Sequence, residues 1–157
     1  MEKMKKEVEA YHEDSVVQTF MLFIQTAREV IKYSDSRLFR DSNLSTVKYI
    51  VLKALVLSGG TLTNSELTNW TGTTRHNITT LVRRMKTDGL VTTERNTEDK
   101  RFMHVILTDK GRDVFQKASV IAYDLIKRVT SDISKREAAQ LDRLLKILKD
   151  NTTANWA

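Results

Sequence analysis

The sequence contains no cysteine and no proline, and its five glycines all lie between Gly59 and Gly111. Without cysteine, disulfides, thiolate metal sites and a thiol redox switch are excluded. His12, His76 and His104 are far apart and lack metal-ligand spacing, so neither a metal nor another cofactor is expected. No apolar run approaches the roughly 20 residues of a membrane-spanning helix. The stretch from Met1 to Asp14 is charged and lacks the apolar centre of a secretion signal, which makes the cytoplasm the expected location. Also lacking are a serine–histidine–aspartate arrangement and a glycine-rich phosphate loop. Thr71 to Arg75 has neither the lysine nor the spacing of such a loop, so an enzyme is not expected.

What is present is positive charge. The chain has 157 residues, with 26 Lys and Arg against 20 Asp and Glu, a net charge of +6 that suits a polyanionic partner. That length accommodates one cored domain, or a small domain with appended helices. The absence of proline permits long helices on both sides of the glycine-containing centre.

Apolar periodicity supplies those helices. Val16, Val17, Phe20, Phe23, Ile24, Ala27, Val30 and Ile31 recur at three- and four-residue steps, predicting an amphipathic helix from Ser15 to Lys32 that ends at Ser34 to Arg37. A second helix is expected from about Ser45 to Leu57, stopped by Gly59 and Gly60. Thr63 to Glu66 is a capping-box pattern opening a short helix through Trp70. Gly72 permits a turn, and Thr74 begins a helix whose apolar positions are Ile78, Leu81, Val82 and Met85, with Gly89 just past its end. Val91 to Glu94 and Phe102 to Leu107 are β-prone and flank a polar tip. Thr108 and Asp109 start a helix through Val129. A second capping box at Ser134 to Glu137 opens a last helix with Ala138, Leu141, Leu144, Leu145 and Leu148 on one face, and Asn151 to Ala157 is expected to fray. The fold class is therefore mainly α with a small β-hairpin. The outer helices carry more apolar surface than the central module needs, so a homodimer is expected to cover them.

The central segment points to a function. Thr74 to Thr87 carries Arg75, Arg83, Arg84 and Lys86 and no acidic residue. On a helical wheel Ile78, Leu81, Val82 and Met85 share one arc, while His76, Thr80 and Arg83 lie opposite, flanked by Arg75, Asn77, Thr79 and Arg84. In a helix-turn-helix the early residues of the second helix meet base edges in the major groove, which makes Thr73, Thr74, Arg75, His76 and Asn77 the first candidates for DNA contact. Thr79, Thr80, Arg83 and Arg84 follow along the exposed face. The plain alternative is a solvated charged face. Against it, hydroxyl, amide and imidazole groups alternate with arginine and no carboxylate intervenes. The hairpin tip carries Arg95, Asn96, Lys100 and Arg101, suited to a narrow minor groove of strong negative potential. Asp99 is positioned in sequence to orient Arg101 by a charge-assisted pair.

These same residues resemble the MarR-type winged-helix regulators of bacteria and archaea. The resemblance runs through Leu44 to Leu55, Leu62 to Gly72, Thr73 to Val91 and Thr97 to Gly111, ungapped from Leu67 to Gly111. It includes the wing motif Asp99-x-Arg101 and the closing Leu107-Thr108-x-x-Gly111. It implies a winged helix-turn-helix at 41–111, flanked by dimerisation helices at 1–40 and 112–157. An obligate dimer straddling a pseudo-palindromic operator follows from the same resemblance. So does a pocket for a small aromatic or anionic effector, for which Tyr11, His12, Phe20, Arg28, Tyr33, Arg37, Phe39 and Tyr49 are candidates; each is also an ordinary core or surface residue by type. The lack of cysteine removes the oxidation switch used by one branch of that family.

Two departures from the family pattern stand out. Arg83 occupies a position commonly acidic, and Lys86 and Thr87 replace the usual glutamates after Met85. Both make the proposed DNA face more basic. The expected function is a sequence-specific transcriptional regulator, more specifically a repressor released by an effector, since repression needs only occupancy of a promoter. The competing reading is a winged-helix protein that binds DNA with little sequence preference or docks a protein. Weak, strongly salt-dependent binding with little difference among duplexes would distinguish it.

Overall fold

Apart from the first, which follows Met1 without a side-chain cap, the α-helices begin where a side-chain oxygen meets the free amides of the first turn. A computed structural model describes residues 1–38, 44–95 and 103–154. The chain divides into two units, Met1–Ile121 and Ala122–Ala157.

In the first unit, α1 (Glu2–Glu13) precedes α2 (Ser15–Tyr33), a helix for which periodicity gave nearly the same limits. Asp14 separates them and accepts hydrogen bonds from the amides of Val16 and Val17. The sequence reading assigned no element to the charged segment that forms α1. As expected, α2 ends where Ser34 to Arg37 begins, with Ser34 as its cap. Ser34–Leu38 forms one π-helical turn, and the buried Ser34 hydroxyl donates to the Val30 carbonyl near the end of α2. Asp35 then accepts from both the amide and the hydroxyl of Thr46 at 2.6 Å, joining this turn to the next helix.

That helix, α3 (Thr46–Leu57), supplies the densest part of the core. Val51, Leu52, Ala54 and Leu55 are fully buried, with Leu67, Ile78, Met85 and Val105. Each such aliphatic side chain is worth about 1.5–3 kcal/mol when removed from water. After α3 the chain forms β1 (Thr61–Thr63), α4 (Asn64–Thr71), α5 (Arg75–Thr87), β2 (Val91–Arg95) and β3 (Met103–Leu107). The three strands form one antiparallel sheet in the order β1-β3-β2, with Leu62 opposite Val105 and Val91 opposite Leu107. All four of these side chains are buried. β1 was not expected: three residues are too short to show alternation, and its pairing partner is more than 40 positions away in sequence.

The final helices are α6 (Asp109–Val129) and, in the second unit, α7 (Lys135–Ala154). Thr108 caps α6 by accepting from the Gly111 amide at 3.0 Å. The expected capping box at Ser134 is present, with Glu137 accepting from the Ser134 amide and hydroxyl. Instead of fraying from Asn151, α7 runs on to Ala154, and the hydroxyls of Thr152 and Thr153 donate back to Leu148 and Lys149. No residue of α2 or α7 is buried. Among the described residues no helix is long and apolar enough to cross a membrane.

Candidate nucleic-acid interface

The two helices of the central module are fixed by local chemistry. Thr63 accepts from the Glu66 amide, while Glu66 accepts from the Thr63 amide and hydroxyl at 2.7 Å each. These bonds favour the charged carboxylate: the Thr63 amide, then the Thr63 hydroxyl, hold Glu66 below its ordinary pKa, with a smaller contribution from His104. α4 ends at Gly72, whose φ of 63° is left-handed and suits a residue without Cβ. Thr74 caps α5 by accepting from the Asn77 amide.

Within α5 the apolar and polar positions separate as the wheel implied. Ile78, Val82 and Met85 are buried and Leu81 is half-buried. Thr74, Arg75, His76, Asn77, Thr79, Arg83 and Arg84 are exposed, and Thr73 and Thr80 are half-buried. No acidic side chain occurs along the helix, and among the described residues Arg83, Arg84 and Arg95 form no ion pair. The exposed face therefore combines hydrogen-bonding groups with uncompensated guanidinium charge.

Both ends of α5 are tethered by polar contacts that sequence reasoning missed. Arg75 donates from Nη2 to the Ser65 hydroxyl of α4 at 3.1 Å. Near the other end, Lys86 Nζ donates to the Thr93 hydroxyl of β2 at 3.1 Å, so this cation links helix to wing. The Thr79 hydroxyl donates to the Arg75 carbonyl, which leaves its oxygen lone pairs for an incoming donor. Neither tether, Arg75 to Ser65 or Lys86 to Thr93, has a one-residue signature, because each depends on elements brought together by the fold.

The wing is anchored at its base. Thr108 donates to the carbonyls of Gly89 and Leu90, and the Leu107 amide donates to Gly60. Gly111 explains itself by space: a Cβ there would lie 2.1 Å from the Leu90 carbonyl oxygen. Strand alternation puts Arg95 on the same face as Val91 and Thr93, the face from which Thr93 meets α5. Arg95 is exposed. Asn96, Asp99, Lys100 and Arg101 lie outside the described residues.

The effector candidates occupy different settings. Tyr49 is half-buried in the α3–α6 contact, its ring stacked on Phe115 at 5.4 Å and its hydroxyl 3.4 Å from that of Ser119. Phe20 is exposed and tilted against Phe23, and Arg28 and Tyr33 are exposed along α2. His12 lines an open groove between α1 and α2 with Val8, Val17 and Leu22. Tyr11 belongs to α1 and Arg37 to the π-helical turn, while Phe39 lies outside the described residues.

Comparison with known proteins matches this geometry. A MarR family model matches residues 42–101. The chain is 31% identical over 74 residues to the HTH-type transcriptional repressor IacR of Pseudomonas putida, covering 47% of this chain and 44% of that repressor's length. The crystal structure of Sco3205, a MarR family transcriptional regulator from Streptomyces coelicolor in complex with DNA, is 25% identical, with a TM-score of 0.80 and 85% of each chain covered. The organohalide-sensing regulator RdhR in its 2,4-dichlorophenol-bound form is also 25% identical, with a TM-score of 0.79 over 90% of this chain and 84% of that one. In its winged helix-turn-helix and the motif residues that close it, this chain is similar to transcriptional regulators of the MarR family.

Proposed function

We propose that this protein is a cytoplasmic, sequence-specific repressor that binds a pseudo-palindromic operator as a homodimer and is released by a small aromatic or anionic effector. The observation that carries the reading is α5, a helix tethered at both ends whose exposed face is polar and cationic without a carboxylate. Thr73, Thr74, Arg75, His76 and Asn77 enter the major groove first, followed by Thr79, Thr80, Arg83 and Arg84. Arg95, Lys100 and Arg101 of the wing meet the flanking minor groove or its phosphates, with Asp99 orienting Arg101.

The segment 41–111 is assigned to DNA, and 1–40 and 112–157 to dimerisation. Large exposed apolar side chains on α2 and α7, including Phe20, Leu22, Leu141 and Leu144, support that division, since contiguous exposed apolar surface calls for a partner. IacR is named a repressor, Sco3205 was crystallised with DNA and RdhR with 2,4-dichlorophenol; these likenesses support repression and effector release.

Selection of fragments from the source genome by purified protein, followed by footprinting, tests the reading. Two protected half-sites about one helical turn apart, roughly 34–36 Å, are expected. With about four phosphate contacts per subunit, log K should fall against log salt with a slope near −7. Equal affinity for selected and random duplexes would instead identify a binder without sequence preference.

A further inference from the structure

Beyond the exposed face of α5, the helix carries an ion pair at the end away from its reading residues. Asp88 caps the C-terminal end of α5, and its carboxylate lies 2.8 Å from Lys48 Nζ of α3. The two side chains are only 13% and 28% exposed, so solvent screens this pair less than the exposed Lys146–Asp142 contact. The Asp88 carbonyl accepts from Lys110 Nζ of α6 at 2.7 Å. The C-terminal end of the reading helix is thus gripped by lysines from two other helices, one on the side chain and one on the backbone.

We propose that Lys48 and Asp88 are positioning residues that set the orientation of α5, and with it sequence selectivity, without touching DNA. The proposal rests on α5 being the helix that reads DNA, as assigned above. Apolar contacts at Ile78, Val82 and Met85 fix which face is buried but are not directional. A charge-assisted hydrogen bond is directional. Asp88 lies eleven to thirteen residues beyond Arg75 to Asn77, about 17–20 Å along the axis. Over that lever a tilt of about 3° at the pair displaces the reading residues by about 1 Å, enough to misalign bidentate hydrogen bonds with base edges. The low exposure of Lys48 argues against its reaching phosphate directly.

The test compares the full chain with Lys48→Met, Asp88→Asn, the double variant and Lys48→Arg. Each is titrated on a duplex selected by the wild type and on a scrambled duplex, at several salt concentrations. Lys48→Met and Asp88→Asn should lose about five- to tenfold on the selected duplex, the scale of one misread base pair, with little change on the scrambled one. The salt slope should stay within about 1 of the wild type, because no phosphate contact is removed. The double variant should be no worse than the weaker single variant, and Lys48→Arg should restore most of the selectivity.

Asp88→Glu retains the charge but displaces the carboxylate, and it keeps the experiment decisive if Lys48→Met does not fold; a smaller loss in the same direction is expected. Equal losses on both duplexes with a flattened slope would make Lys48 a phosphate contact and overturn the proposal. Lower melting temperatures with unchanged selectivity in the folded variants would overturn it too, by reducing the pair to a stabilising contact. If the wild type itself fails to discriminate, the assignment of α5 as a sequence reader falls and takes this inference with it. Discrimination by wild type and variants alike removes this inference only.

Discussion

The segment from Leu44 to Leu107 and the long helices outside it solve the same problem of apolar surface differently. Among the described residues, every buried apolar side chain except Ala118 and Ala122 lies within that segment. α2 and α7 bury none, although α2 alone exposes Val16, Phe20, Met21 and Leu22. One region carries its own core. The others are amphipathic surfaces whose stabilisation has to come from contacts with further apolar surface. The central segment is accordingly held by specific polar contacts around a packed interior, whereas the terminal helices offer broad faces suited to assembly.

The strongest way to break that contrast is to make a terminal face charged. Replacing Leu141 and Leu145 together with Asp should abolish the dimer and reduce operator affinity by at least about a hundredfold, through loss of the second half-site. Sedimentation and a binding titration check this, and a stable monomer that still binds the full operator tightly would sink the dimerisation assignment. Leu67→Ala should act on the other side of the comparison. It removes a fully buried side chain from the central core and should cost about 2–5 kcal/mol in urea unfolding. A cost below about 1 kcal/mol would mean that the core relaxes around the gap.

Within the central segment, smaller effects should divide reading from attraction. Asn77→Ala or His76→Ala should lower preference at particular base pairs by about 1–3 kcal/mol, measured on single-position duplex libraries. Arg83→Ala should weaken selected and random duplexes alike and flatten the salt slope by about 1–2 in the dimer if both copies meet phosphate. An unchanged slope with folding intact would make Arg83 a bystander despite its departure from the family pattern.

The smallest expected effect is that of Glu66. Its carboxyl is held below its ordinary pKa by Thr63, so the unfolded chain binds its proton more readily than the folded one. The cap's electrostatic contribution is fully present above the unfolded pKa, about 4.3, and is lost as pH falls through the lower folded value. Glu66→Ala should cost about 0.5–2 kcal/mol at neutral pH, near the lower end because the group is exposed. Chemical denaturation across the acid range should show part of the wild-type pH dependence missing from this variant. Unchanged stability at neutral pH would contradict it.

What was legible in the sequence followed from local rules. Periodicity placed α2, α5 and α7, and the two capping boxes at Thr63 and Ser134 are present with their bonds as expected. The apolar edge of α5 was readable because burial at Ile78, Val82 and Met85 obeys helical spacing. Less legible was whatever depends on distant pairing. Thr61–Thr63 is a strand only because β3 lies beside it. Arg75 is held by Ser65 and Lys86 by Thr93, so cations counted as equivalent in sequence differ in freedom once folded. Tyr49 packs on Phe115, a contact 66 positions long that no spacing rule could supply. Arg95, expected in the tip, is instead the last residue of β2, and the rest of the tip lies outside the described residues.

The clasp at the base of the wing has an evolutionary consequence. Thr108 bonded to Gly89 and Leu90, with Gly111 seated against the Leu90 carbonyl, closes the hairpin where it leaves the core. Exposed positions of the hairpin such as Thr92 and Glu94 can then vary without disturbing that clasp, so a lineage can change this surface while inheriting the same scaffold.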